Sequence, residues 1–204
     1  NELQILRQTN ALSFTNITSS SGVPVTLENA TMVVMEDWNH DQVMDIIVNR
    51  SGLPPLLLEK QRGGTLTPIE QEQWVSGTSI CAGDFDNDLR PDLAILTNEG
   101  ITICFNSGQR NEWMVPDAKN FHTIIPVDFD NDGWLDLWTI GDTIQAWRNR
   151  GLSGFKDQTA KLGLDAFNDG PVSEIHFADF DHDCDSDVIV ALSDGGLRYF
   201  ENDE

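Results

Sequence analysis

Apolar positions along this chain fall in short runs of three to six, rich in Val, Ile, Leu and aromatics, each closed by Gly, Asn, Asp or Ser. Runs of that length between turn residues predict strands, because an amphipathic helix would need a longer stretch at a 3.6-residue period. The runs recur in a fixed order. A first set lies at 31–35, 79–82, 123–127 and 174–178, and a second at 46–48, 93–97, 137–140 and 188–192. Turn residues follow at 51–52, 98–100, 141–142 and 193–196, and then a third set at 56–59, 101–105, 144–147 and 197–200. A weaker fourth segment completes the unit. Two of its copies align, Phe14-Thr15-Asn16-Ile17-Thr18 with Phe155-Lys156-Asp157-Gln158-Thr159. Four short antiparallel strands in a repeat of just under fifty residues predict an all-β chain built of β-propeller blades.

Between the first and second runs of every repeat sits the same polar loop. It reads DWNHDQVMD over 37–45, DFDNDLRPD over 84–92, DFDNDGWLD over 128–136 and DFDHDCDSD over 179–187. The first positions stand 47, 44 and 51 residues apart. Positions one, three, five and nine always carry an oxygen-bearing side chain: Asp37, Asn39, Asp41 and Asp45; Asp84, Asp86, Asp88 and Asp92; Asp128, Asp130, Asp132 and Asp136; Asp179, Asp181, Asp183 and Asp187. Closely spaced carboxylates on a tight loop are what a hard cation with six to eight oxygen ligands requires, so the loops predict up to four Ca²⁺. An EF-hand would need Glu at position twelve and flanking helices. Position twelve is Val48, Ile95, Thr139 and Val190, each inside a strand-like run, which excludes that alternative.

Charge and cysteines narrow the setting. Thirty-four acids against 12 bases give a net charge of −22, which four bound divalent cations would bring only to −14. So acidic a surface opposes nucleic acid and anionic membranes as partners. No apolar run approaches the roughly eighteen residues of a membrane span, so membrane insertion is not expected. Cys81 and Cys104 fall in strand-like segments of one repeat; a disulfide between them and two buried thiols are both open, the thiols favoured. Cys184 lies inside the fourth loop. No signal peptide is present, and the chain reads as a mature or excised piece of a longer protein.

The ends are out of phase with the repeat. Residues 3–7 align with a third strand, and 199–200 end in one. Residues 1–204 therefore read as one propeller segment of about four repeats, with three arrangements open. The favoured one is part of a larger propeller; the others are a closed four-bladed ring and two chains assembling into one eight-bladed ring.

The D-x-[DN]-x-D-x-x-x-D loop in all four repeats resembles the FG-GAP/VCBS family of calcium-binding β-propellers, also seen in integrin α-subunit heads. Residues 155–164, FKDQTAKLGL, resemble a linker of its bacterial members. The Phe-Gly and Gly-Ala-Pro signatures of the integrin type are absent, Cys81-Ala82-Gly83 being the nearest remnant, and Gly at loop position six occurs only as Gly133. The resemblance is therefore to the bacterial branch, and implies no integrin-like ligand. It implies that side chains at loop positions one, three, five and nine ligate Ca²⁺. Position seven, here Val43, Arg90, Trp134 and Asp185, would add a backbone carbonyl.

Other candidate chemistry is sparse. His40 and His182 share loop position four and are expected to face solvent, while His122 and His176 read as structural. No nucleophile, phosphate-binding or H-E-x-x-H motif is present, and carboxylates that ligate calcium cannot act as general acids. Trp138 and Trp147 read as core. Trp38 and Trp134 lie in loops and Trp74 and Trp113 in connections, where packing between blades competes with stacking on a sugar or anchoring a partner. Sequons at Asn16, Asn29 and Asn49 would matter only in a secreted eukaryotic chain. The expectation is a non-enzymatic, calcium-stabilised interaction module, extracellular, at the cell surface or periplasmic, with a protein or glycan ligand on the propeller face. The alternative is a carbohydrate-binding or non-catalytic part of a polysaccharide-active enzyme.

Overall fold

The computed structural model describes residues 4–10, 12–23, 27–107, 113–115 (backbone only), 120–164 and 170–202. It divides into two compact units, Asn1–Gly77 and Thr78–Glu204. Among the described residues there is no α-helix, and so none long and apolar enough to cross a membrane.

The first unit holds a two-stranded antiparallel sheet, β1 (Leu6–Asn10) with β2 (Ser13–Asn16), and one complete four-stranded blade. The blade runs β3 (Ala30–Glu36), β4 (Asp45–Arg50), β5 (Leu53–Lys60) and β6 (Leu66–Glu70), each strand antiparallel to the one before. Alternation along the inner strands puts Val48, Leu56 and Leu58 on one face, in a cluster with Val23, Leu27 and Leu66.

The second unit holds three blades. The first is β7 (Ser79–Gly83), β8 (Asp92–Thr97), β9 (Gly100–Cys104) and β10 (Trp113–Val115). The next is β11 (Phe121–Val127), β12 (Asp136–Gly141), β13 (Ile144–Asn149) and β14 (Phe155–Asp157). The last is β15 (Val172–Ala178), β16 (Asp187–Leu192) and β17 (Leu197–Phe200). Strand β12 shows why these blades stack. Successive side chains point to opposite faces, and both faces are apolar. Leu137 and, across the pair, Trp147 pack with Ala94, Leu96 and Ile103 of the preceding blade. Trp138 and Ile140 pack with Val188, Val190 and Ile175 of the following one. A strand buried on both sides reads as a mostly apolar, β-branched run, and LWTI is one, its Thr139 buried with the rest.

The all-β, four-stranded blades agree with the sequence pattern. Of residues 3–7, only Leu6 and Arg7 lie in β1, which starts at Leu6 and runs on to Asn10. Its turn is set by Asn10, whose Oδ1 accepts the Leu12 amide at 3.1 Å, and pairing runs from Leu6↔Asn16. Residues 1–3 lie outside the described residues. Strand β6 carries Pro68, which an edge strand tolerates because one ladder of amides is free of partners. Cys81 and Cys104 are buried thiols that are not joined in a disulfide, and burial pushes the Cys81 thiol well up from its ordinary value.

Candidate metal centres

Each Asp loop joins the first strand of a blade to its second, and the four loops share one backbone ladder. The position-one carboxylate accepts the amides of positions five and six. Asp84 takes Asp88 and Leu89 at 3.0 and 2.8 Å, and Asp37, Asp128 and Asp179 repeat the pair. Position-five Oδ1 accepts the position-seven amide, as from Val43, Arg90, Trp134 and Asp185 at 2.8–3.0 Å. These Asx turns drive positions four and six into the left-handed region in all four loops. The φ values are 60° and 69° at His40 and Gln42, 58° and 70° at Asn87 and Leu89, 54° and 84° at Asn131 and Gly133, and 69° and 81° at His182 and Cys184. Asn and His tolerate that conformation at position four; at position six only Gly133 adopts it without strain.

Position nine is buried and belongs to the second strand. Asp45, Asp92, Asp136 and Asp187 are the first residues of β4, β8, β12 and β16. One oxygen accepts an amide at the end of the third strand or just past it: from Lys60 at 2.7 Å, Asn106 at 2.9 Å, Asn149 at 2.7 Å and Asn202 at 2.9 Å. In the second unit the other oxygen accepts the loop's position-two amide, from Phe85, Phe129 and Phe180. This Asp pins its loop to two strands. Burial lifts the Asp92 and Asp136 carboxyls to about 7 and raises Asp45. Asp187, which also accepts from Tyr199 Oη, is held low by the amides of Asn202 and Phe180.

Three loops draw three carboxylates to within 4.8 Å of one another: Asp84, Asp86 and Asp92; Asp128, Asp130 and Asp132; Asp179, Asp181 and Asp187. Asp88, Asp136 and Asp183 lie outside those groups. Loop 37–45, where Asn39 replaces an acid, forms no such group among the described residues. Burial, with repulsion from neighbouring carboxylates adding to it, raises Asp86 and Asp130. Donor sets of hard oxygens with raised affinity for positive charge fit Ca²⁺ or a similar cation, and suit neither zinc nor copper.

Two parts of these sites were missed in the sequence. The first is lacing between neighbouring loops. Asn87 Nδ2 donates to Gly133 O at 3.2 Å, and Asn131 Nδ2 to Cys184 O at 3.2 Å and Asp185 Oδ1 at 2.8 Å. The shared Asn at position four was the available signal. The second is Arg148 on β13, whose Nε stands 2.6 Å from Asp130 Oδ2 and Nη2 2.9 Å from Asp132 Oδ2. The same loop opens on a cleft of about 350 Å³ lined by Asp130, Arg148, Lys161, Trp138, Trp147 and Asp185.

Four of the tryptophans serve packing. Trp38, Trp74, Trp138 and Trp147 are buried, with Trp38 edge-on to Trp74 at 5.2 Å and Trp138 meeting Phe129 at 4.9 Å and Phe177 at 5.1 Å. Trp134 is half-buried, and the Trp113 side chain lies outside the described residues. His122 joins Thr123 Oγ1 and Val172 O, and His176 lies 3.1 Å from Glu174.

A family model described as an FG-GAP-like repeat matches residues 84–139 and again 128–190. No curated protein matches the chain by sequence. Among solved structures the chain is similar to BBS1N in complex with ARL6DN from a lead-soaked crystal, at 14% identity over 87% of this chain and 56% of that one, with a TM-score of 0.60. It is also similar to an Agrocybe aegerita lectin that recognises non-reducing terminal N-acetylglucosamine, at 15% identity over 94% and 57%, TM-score 0.56. At such identity the likeness is one of fold, and the chain spans a little over half the length of those proteins.

Proposed function

The chain belongs to the FG-GAP-like repeat family, and on that premise we propose that its Asp loops hold Ca²⁺ and its blades act as a non-enzymatic interaction module outside the cytosol. The observation that carries the reading is the identity of the four loop backbones together with three-carboxylate groups in three of them. Asp84, Asp86 and Asp92, Asp128, Asp130 and Asp132, and Asp179, Asp181 and Asp187 would hold the ions. The carbonyls of Val43, Arg90, Trp134 and Asp185 are proposed as further donors. A bound ion supplies positive charge to loops that otherwise crowd like charges, and so fixes the turn between first and second strands. Abundant Ca²⁺ outside the cytosol suits sites of modest affinity. The four repeats are proposed as part of one larger propeller, whose face takes a protein or glycan ligand. Four of the six tryptophans are buried and so offer no stacking surface to a glycan.

Thermal melts in about 2 mM Ca²⁺, in Mg²⁺ and in EDTA test this. A rise in Tm specific to Ca²⁺ is expected; equal Tm in all three conditions would overturn it.

A further inference from the structure

Loop 128–136 differs from the other three in what stands over it. The residue just before the amide that binds each position-nine Asp is Glu59 in the first blade, Phe105 in the second, Arg148 in the third and Glu201 in the fourth. One strand position thus carries a cation only where it faces Asp130 and Asp132, and an acid in two other blades. Glu59, for its part, pushes the Asp45 carboxyl further up by its charge. The Arg148 guanidinium bridges two separate carboxylates, through Nε to Asp130 at 2.6 Å and Nη2 to Asp132 at 2.9 Å. It stays charged at any working pH; Nη2 hydrogen-bonds Asp132, while Nε meets Asp130 as a close charge pair outside hydrogen-bond geometry. Both acids it engages belong to the group of three that would bind a cation in this loop.

Resting on the calcium reading above, we propose that Arg148 is the third loop's resident cation: it competes with divalent metal there, leaving this loop the least metal-dependent of the second unit. A divalent ion entering the loop must first displace the guanidinium. The adjoining cleft of about 350 Å³, which Arg148 also lines, gives the side chain room to swing aside. Loops 84–92 and 179–187 then fill at lower Ca²⁺ than loop 128–136, and the middle blade keeps its turn when metal is withdrawn.

The loop carries its own reporter, because Trp134 at position seven can sensitise the luminescence of Tb³⁺ bound beside it. The part of the signal lost in Trp134→Phe belongs to this loop. In Arg148→Gln that part is expected to titrate at Tb³⁺ concentrations lower by about tenfold or more, the size of one close charge partly screened. Arg148→Lys, which keeps the charge and loses the fork, should fall between. Arg148→Gln should also melt below the unsubstituted protein in EDTA and match it in saturating Ca²⁺. An unchanged Trp134-dependent titration, or a Tm deficit equal with and without Ca²⁺, would overturn the proposal. If Asp86→Asn with Asp181→Asn abolishes Ca²⁺ binding heat while Arg148→Gln changes nothing, only the role of Arg148 fails. If no variant or parent binds Ca²⁺ or Tb³⁺, the calcium reading fails and this inference with it.

Discussion

Within a loop, residues that look equivalent in sequence divide into two kinds. Position-three Asp86 sits at the loop surface, where burial and the charges of Asp88 and Asp84 raise its carboxyl. Position-nine Asp92 is buried and accepts the Phe85 and Asn106 amides at 3.0 and 2.9 Å. Asp92→Ala strands two amides and should lose about 3 kcal/mol in chemical denaturation already in EDTA, and more in Ca²⁺, which Asp92 is also proposed to hold. Asp86→Asn should leave stability in EDTA nearly unchanged and shrink the Ca²⁺ response. Similar losses for both in EDTA would contradict this division of labour. The same residues set a pH dependence. Asp92 and Asp136, at about 7, hold their protons more tightly than the unfolded chain does near 3.9. Their contribution is fully present below that lower value and is lost as pH rises through 7. Asp187 works the other way, but its low value keeps it ionised above pH 5. Melts in EDTA should therefore fall from pH 5 to pH 8, a trend that saturating Ca²⁺ removes. A Tm in EDTA that climbs with pH would refute it.

Among the elements, the central strands were legible because they are buried on both faces and so read as mostly apolar runs behind the position-nine Asp, as in β8, β12 and β16. Two of the outer fourth strands were not: β6 mixes Pro68 with exposed residues, and β10 is only three residues long. The loops were legible through their Asp period, yet period alone could not separate surface carboxylates from those locked to backbone amides. Nor could it reveal Arg148, which reaches loop 128–136 from a strand beyond it. Loop-to-loop lacing by Asn87 and Asn131 was equally hidden, since its partners lie 46 and 53 residues on. Gly141 shows a backbone constraint at the end of β12. A Cβ there would run into the carbonyl oxygen of Asn120 and Cα of Phe121, neither of which is a flexible side-chain end. Gly141→Ala should therefore cost about 1–3 kcal/mol by pushing the start of β11 away. A fully native stability in urea would show that this strand start can move.

For the molecule as a whole, composition was informative about what it avoids. A charge of −22 with 12 basic residues opposes a polyanionic partner, and the carboxylate-rich loops call for a positive counter-charge, proposed above to be Ca²⁺. The repeats marked the blade fold, and the family match over 84–190 agrees with it. Ligand identity was not legible, because exposed faces of propeller blades carry no shared chemistry. The central claim is that the Asp loops are Ca²⁺ sites, and calorimetric titration of EDTA-stripped protein tests it most directly. Binding heat for at least the 84–92 and 179–187 loops is expected, selective for Ca²⁺ over Mg²⁺ and reduced by Asp84→Asn and Asp179→Asn. No heat, or heat indifferent to both substitutions, would contradict the account.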